Sequence, residues 1–588
     1  MFAAIAAAGL LAEYGFFTPL MPVVVCRLTQ AVAVTAFLAI RVLLSGRAGT
    51  PPGSKGYWLD LAVIPAAAIA AGVRGVPVAP VVISAGVLYV TILQAGCLAG
   101  AAFEQAVQCV VRPGSRGRPV RLILAWYLAL IVVGGLLLAV PQATTADHRN
   151  SPYTHLLNSA FAATSAACTA GLTIYELSSG YTLFGKVVIL VLVQLGGVGM
   201  LVFGTLFGML LVRRLAGGPA APAWTDERRV RRIVTAILSM TLGLEAAGAI
   251  LLYPVWSDGA APLDSGFRAV FHAVGAFCNS GFTLQKDSLV GLGTIWQVYG
   301  VILPLAVIGA LGFPVVYEIG CRVRRGPGSG EAPLLPLPDS GWSLHTRLAL
   351  ATALWLIIAG LVGLMLLETP GPIGYWYVGK GNLLAPQDAT QVSPEWMRSH
   401  DGTQRMLDAL FQATAAPTAG LRTVPIDPGK VSPATHFLLM MWMFVGGAPA
   451  STAGGVKTVA FAILILYAIS ILRRRSRLEV LGCQVRPNVV RRVLALFFVS
   501  AAWLAAAILI LAHTERASFL AVAFEAVSAF STNGLSLGVT PNLTALGKGL
   551  IILTMLAGRI GPLAMMIALA EPDEMDAQSP AAEMVALA

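Results

Sequence analysis

Four short stretches of this chain share residue types and a spacing suited to handling a bare ion: Phe161 to Gly171, Phe271 to Gly281, Phe411 to Gly420 and Phe524 to Gly534. Each opens on Phe, has Ala two residues on, and closes on Gly followed by Leu or Phe; the third is one residue shorter. Glycine at a turn admits positive φ and lets successive backbone carbonyls point inward where a side chain would stand in the way. Rings of such carbonyls can replace the water that an ion loses on entering a medium of low dielectric. The residues before each glycine read as a short helix whose C-terminal end carries roughly half a negative charge, which favours cations and excludes anions. No Asp or Glu occurs in 167–172, 277–282, 416–421 or 531–535, so selection by a carboxylate ring is not expected. Close helix packing would explain any one of these glycines. It does not explain four in register with shared flanks.

The surroundings recur as well. An apolar span and a more polar interval precede each stretch, and a second apolar span then leads to a basic linker. About 120 residues make one unit, and a polar stretch from Glu368 to Gln404 enlarges the third. Runs long enough to cross a hydrocarbon core of roughly 30 Å include Val120 to Val140, Phe184 to Val212, Ile233 to Leu252, Leu348 to Leu367, Val493 to Leu511 and Leu550 to Leu569. With 57% hydrophobic and 11% charged residues and a mean hydropathy of +0.78, the chain does not have water as its main solvent. The expected units are 119–225, 226–330, 340–480 and 481–570, with N-terminal transmembrane helices in 1–118 and a cytoplasmic tail at 571–588.

The net charge of +11 is concentrated in linkers at Arg112 to Arg121, Arg213 to Arg232, Arg322 to Arg347 and Arg473 to Arg492. The positive-inside rule makes these linkers cytoplasmic, in an inner or plasma membrane crossed many times. Linkers this short offer no folded surface for nucleic acid, so the lipid bilayer is the expected partner. Each glycine segment then lies outside and is too short to cross, so it enters and returns, and four such turns meet around one axis. The start, MFAAIAAAGLLAEYGFF, lacks the basic region and cleavage site of a secretory signal and is read as retained. Val23 to Leu43, Trp58 to Val73 and Val78 to Phe103, with a short span before Glu13, suggest four N-terminal crossings and a cytoplasmic N-terminus. The seven cysteines show no CxxC pairs, so neither a zinc site nor a disulfide scaffold nor any covalently bound cofactor is expected. HExxH, GxSxG and paired intramembrane carboxylates are missing, which argues against an enzyme.

At these residues the sequence resembles the Trk/Ktr/HKT superfamily of potassium transporters, and within it the Trk-type membrane subunit. Phe444-VGGAPASTAGGVKT and Leu546-GKGLIILTMLAGRIGPLAMMIAL sharpen the likeness, which covers about residues 119 to 570. The resemblance implies an all-α membrane protein with a pseudo-fourfold pore of eight spans and four pore helices. It also implies a homodimer and a cytoplasmic nucleotide-binding (NAD/ATP-type) regulatory ring as partner. Its selectivity filter would lie on Ala167, Cys168, Thr169, Ala170 and Gly171; on Phe277, Cys278, Asn279, Ser280 and Gly281; on Ala416, Pro417, Thr418, Ala419 and Gly420; and on Ser531, Thr532, Asn533 and Gly534, with K+ at the carbonyls. In the plant branch a serine at the first glycine position goes with sodium preference. All four are glycine here, which favours potassium, with sodium or weakly selective transport as the alternative.

The family's intramembrane gate falls on Gly446, Gly447, Ser451, Thr452, Gly454 and Gly455, with Arg559 beneath the filter as an electrostatic barrier. Those glycines and Pro449 cannot sustain a helix, so the span must break there or kink. An arginine inside an apolar span must face the pore or a partner. His272, Gln412 and Glu525 follow the initial Phe of their repeats and read as glue to neighbouring spans. Lys457 follows the gate and should pair nearby. Cys168 and Cys278 sit three residues before their glycines, either as small side chains behind the filter or as a redox-sensing pair. Pro417 at the equivalent place predicts a different geometry for the third turn.

Overall fold

The computed structural model describes residues 118–145, 152–215, 227–257, 261–324, 334–335, 341–368, 401–428, 430–474, 478–480, 483–485 and 487–568. The expected N-terminal crossings and cytoplasmic tail, with much of the basic linkers, therefore lie outside the described residues. The described residues fall into two units: 139–145 with Thr182–Gly185, and 118–138 with 152–181 and those from Lys186 onward. All four glycine turns belong to the second unit.

Span, short helix and span succeed one another four times. The first set is α1 (Arg118–Ala139), α2 (Pro152–Ala167) and α3 (Leu183–Leu215). The second is α4 (Glu227–Leu252), α5 (Pro262–Phe277) and α6 (Leu303–Arg324). The third is α7 (Leu344–Glu368), α8 (Gly402–Ala415) and a second span broken into α9 (Pro433–Phe444) and α10 (Thr458–Leu472). The fourth is α11 (Pro487–Thr514), α12 (Phe519–Ser531) and α13 (Ala545–Ala568). The chain is thus an all-α, pseudo-fourfold membrane protein. One two-residue hairpin, Glu479–Val480 paired with Cys483–Gln484, joins the third repeat to the fourth.

Local chemistry fixes where the short helices start. Asp401 caps α8, Ser518 caps α12 by accepting from the Ala521 amide, and Pro262 opens α5 where no amide donor is needed. Their small residues let the backbones pack closely: every residue of α12 from Ala521 to Ser531 is buried. Large apolar side chains point outward instead, among them Leu136, Ile250, Trp355, Phe498 and Leu509. That inversion suits a hydrocarbon surround, since lipid tails solvate leucine as well as a core does. Six described helices are long and apolar enough to cross a membrane.

The two spans of a repeat are clasped at their near ends. Thr182, just before α3, donates its hydroxyl to the Gln142 carbonyl (2.6 Å) and its amide to Ala143 (3.1 Å). Glu368, at the end of α7, accepts from the Ser432 amide (3.0 Å) and the Thr435 hydroxyl at the start of α9. Glu515, after α11, accepts from the amide (2.9 Å) and hydroxyl (2.6 Å) of Thr544 before α13. Each clasp satisfies helix N-terminal donors that lipid could not.

Candidate ion path

All four short helices end at the glycines, and all four glycines have positive φ: Gly171 at 72°, Gly281 at 69°, Gly420 at 62° and Gly534 at 105°. They also meet. A Cβ built on Gly171 would stand 2.5 Å from the Ser280 carbonyl oxygen and 2.9 Å from the Gly281 Cα; one on Gly281 would stand 2.6 Å from the Asn533 carbonyl oxygen. One on Gly534 would stand 2.9 Å from the Ala170 carbonyl oxygen, and one on Gly420 would run into Asn533. No side chain fits at any of these positions, and backbone carbonyls of different repeats crowd the same point.

Three turns share one hydrogen-bond pattern. Thr169, Asn279 and Thr532 adopt the left-handed conformation, at φ of 53°, 51° and 49°. The amides that follow, of Ala170, Ser280 and Asn533, reach back to the carbonyls of Ser165 (2.7 Å), Gly275 (2.9 Å) and Ser528 (3.0 Å). This is the helix-ending arrangement usually supplied by glycine, built here twice on a β-branched residue. The third turn departs from it. One residue shorter and carrying Pro417, it has no left-handed residue before Gly420, and the amides of Ala419 (2.8 Å) and Gly420 (3.2 Å) both bond to Ala415. Around the turns the hydroxyls of Thr169 and Thr532 and the side-chain oxygen Oδ1 of Asn279 are buried with no partner among the described residues. Polar atoms left over inside a membrane protein belong beside water or an ion.

The second spans press on the turns from behind, an arrangement that small residues in an apolar span do not announce. A Cβ on Gly196 of α3, Gly309 of α6 or Gly558 of α13 would strike the carbonyl of Ala167, Phe277 or Phe530, each four residues before its own turn glycine. In the third repeat the span breaks instead, between Phe444 and Thr458. The broken segment is fully buried and lies against the turns: the Thr452 hydroxyl donates to the Phe277 carbonyl (3.0 Å) and accepts from the Asn279 amide (2.8 Å), and a Cβ on Gly454 would come 2.9 Å from the Ser531 carbonyl.

A second break, in α6, holds the first. Gly312 leaves the helix at φ 76°, and Pro314 has no amide to offer Ala310. The freed carbonyls of Ala310 and Gly309 accept from the amides of Ala448 (2.8 Å) and Thr452 (3.1 Å), while the Phe313 amide turns to Ala450 (3.4 Å). Two interrupted helices thus satisfy each other's backbone.

Arg559 is wholly buried, and among the described residues no acidic group pairs with it. It donates to the Thr452 carbonyl, to the Gly196 carbonyl (3.3 Å) and to the Tyr127 hydroxyl (3.2 Å), which donates in turn to Gly196 (2.9 Å). Lys457 donates to the Ala453 carbonyl (2.7 Å), so the broken segment carries two buried cations on its own carbonyls. The residues read as glue bind within their own repeats. Glu525 accepts from Ser536 (2.9 Å) and Thr540, and His272 stacks on Trp256 (4.3 Å) and accepts from the Leu284 amide (3.4 Å). Gln412 has no side-chain partner among the described residues. Cys168 and Cys278 are both buried as free thiols. Among the described residues no group of three or more His, Cys, Asp or Glu could hold a metal ion.

Four glycine turns that meet at one point, each fed by a helix end and held among apolar membrane helices, define a membrane transport protein for cations, not an enzyme. Residues 131–578 match the family model described as TrkH, cation transport protein, and the chain belongs to that family as a Trk-type membrane subunit. It is 30% identical over 469 residues to the potassium/sodium uptake protein NtpJ of Enterococcus hirae, covering 78% of this chain and 94% of that one. It is 30% identical over 469 residues to the Ktr system potassium uptake protein B of Vibrio alginolyticus, covering 79% of this chain and 93% of the other. The fold matches the crystal structure of the potassium transporter TrkH from Vibrio parahaemolyticus with a TM-score of 0.56 at 18% identity, over 96% of this chain and 98% of that one.

Proposed function

We propose that this protein takes up potassium through a filter formed by the carbonyls of 167–171, 277–281, 416–420 and 531–534. Flow through that filter is governed by the segment 446–455 together with Arg559. The observation that carries this reading is the meeting of four positive-φ glycines at one point. The carbonyls there stand in for the waters that potassium sheds. The buried cations Arg559 and Lys457 raise a barrier just inside, and the broken segment must shift before an ion passes. The filter faces outward and the basic linkers inward, in the plasma membrane. The protein works as a homodimer with a cytoplasmic nucleotide-binding regulatory subunit. Relatives named for potassium uptake support the choice of ion.

A second reading, in which sodium is also carried, is favoured by the name of the Enterococcus hirae relative. Flux into liposomes holding the purified protein, compared for potassium, rubidium, sodium and lithium, tests both readings. Potassium and rubidium should pass well ahead of sodium and lithium. Equal passage of sodium would support the second reading, and no cation flux would overturn both.

A further inference from the structure

Glu245 lies within the span α4, 5% exposed. A carboxyl group at such a depth is costly and is usually retained for a task. It does not neutralise a cation: its polar partners among the described residues are Gln194 of α3 and Cys278 of the second turn. The Gln194 amide donates to Oε2 of Glu245 (2.8 Å). The Cys278 thiol lies 3.9 Å from Oε1 of Glu245 and 3.7 Å from Oε1 of Gln194, so two acceptors share one weak donor.

The cluster sits where α3 is pressed against two turns. Two and three residues beyond Gln194, a Cβ on Gly196 would strike the Ala167 carbonyl and one on Gly197 would come 2.7 Å from the Cys278 Sγ. Glu245 thus ties the back of the second turn to the span that supports the first. Among the described residues the other turns have nothing like it. Ser531, in the place of Cys278, bonds within its own helix to Val527 (2.8 Å), and Pro417 has no donor. Cys168 makes no side-chain hydrogen bond to the described residues.

We infer that Glu245 is a specificity-determining positioning residue for cation transport, holding the second turn through Gln194 and Cys278 at the spacing a large monovalent cation needs. This rests on the proposed filter. A carbonyl ring discriminates by its spacing and by the field its dipoles present, and both depend on how firmly each strand is held from behind. With the thiol held back, the second turn cannot follow a smaller ion inward.

The test is the potassium-to-sodium flux ratio of the purified full chain in liposomes. Glu245→Gln, Gln194→Leu and Cys278→Ala should each lower the ratio by about tenfold, the scale of one hydrogen bond to a carboxylate. Cys278→Ser, which keeps a donor, should recover part of what Cys278→Ala loses. The double variant Glu245→Gln with Cys278→Ala should lose less than the product of the single losses. Variants that elute as the parent does and carry less of every cation at an unchanged ratio would overturn the inference, because a purely structural role predicts that result. An unchanged ratio at full flux would overturn it as well. If the parent protein carries no cation, the proposed function fails, and that outcome is distinct from either of these.

Discussion

At the scale of single residues, the four turn glycines leave no latitude. A side chain at Gly281 or Gly534 must both adopt positive φ and displace a neighbouring repeat's carbonyl. Gly281→Val and Gly534→Val should abolish rescue of an uptake-deficient host on limiting potassium, and full rescue would count against the filter. Arg559 is expected to act by charge. A guanidinium about 8 Å from a passing cation opposes it by about 2 kcal/mol at an effective dielectric of about 20. Arg559→Ala should therefore raise leak by about ten- to thirtyfold, read as basal flux without any regulatory partner. The glycines and Arg559 were legible in the sequence because each breaks a strong local rule, either a repeated turn or a charge in an apolar run. The left-handed Thr169 and Thr532 were not, because a β-branched residue gives no local hint of positive φ and adopts it only when its surroundings force it. Gly196, Gly309 and Gly558 were hidden for another reason: a small residue in an apolar span has many possible uses.

Among the elements, the two interrupted helices are the part of the fold that the proposed gating has to move. The break at 446–455 was legible from its glycines and Pro449. Its counterpart at Gly312 was not, because proline and glycine are common in membrane helices and only the exchange of hydrogen bonds with 448–452 reveals their use here. Pro314→Ala restores an amide that competes with Ala448 for the Ala310 carbonyl, so it should loosen the broken segment and raise basal flux severalfold. Removing 449–453 should raise it further. An unchanged open probability in single-channel recordings of both variants would remove the case for a gate in this segment. The unlike third repeat fits the same picture. It is one residue shorter and carries Pro417, departing from the other turns in the repeat that also supplies the broken span.

For the whole molecule, the outward apolar side chains and inward small and polar ones follow from a solvent that cannot hydrogen-bond. The fourfold plan was readable because the repeats kept both their turn residues and their flanking spans. The clasps were not readable, since Glu368 and Glu515 find their partners only once the spans stand side by side. Glu368→Ala leaves the Ser432 amide and the Thr435 hydroxyl without an acceptor and should cost about 1–3 kcal/mol, seen as earlier thermal unfolding in detergent. Glu368→Gln should cost less, because it keeps an acceptor. Stability equal to the parent's in Glu368→Ala would show that the clasp contributes nothing.

The most direct measurement is the position of rubidium, located by its anomalous scattering in crystals of the protein. A filter at the turns holds the ion between Gly171, Gly281, Gly420 and Gly534, within about 3 Å of backbone carbonyls from all four. Rubidium bound instead at a carboxylate such as Glu245 or Asp408, with the glycine turns vacant, would contradict it.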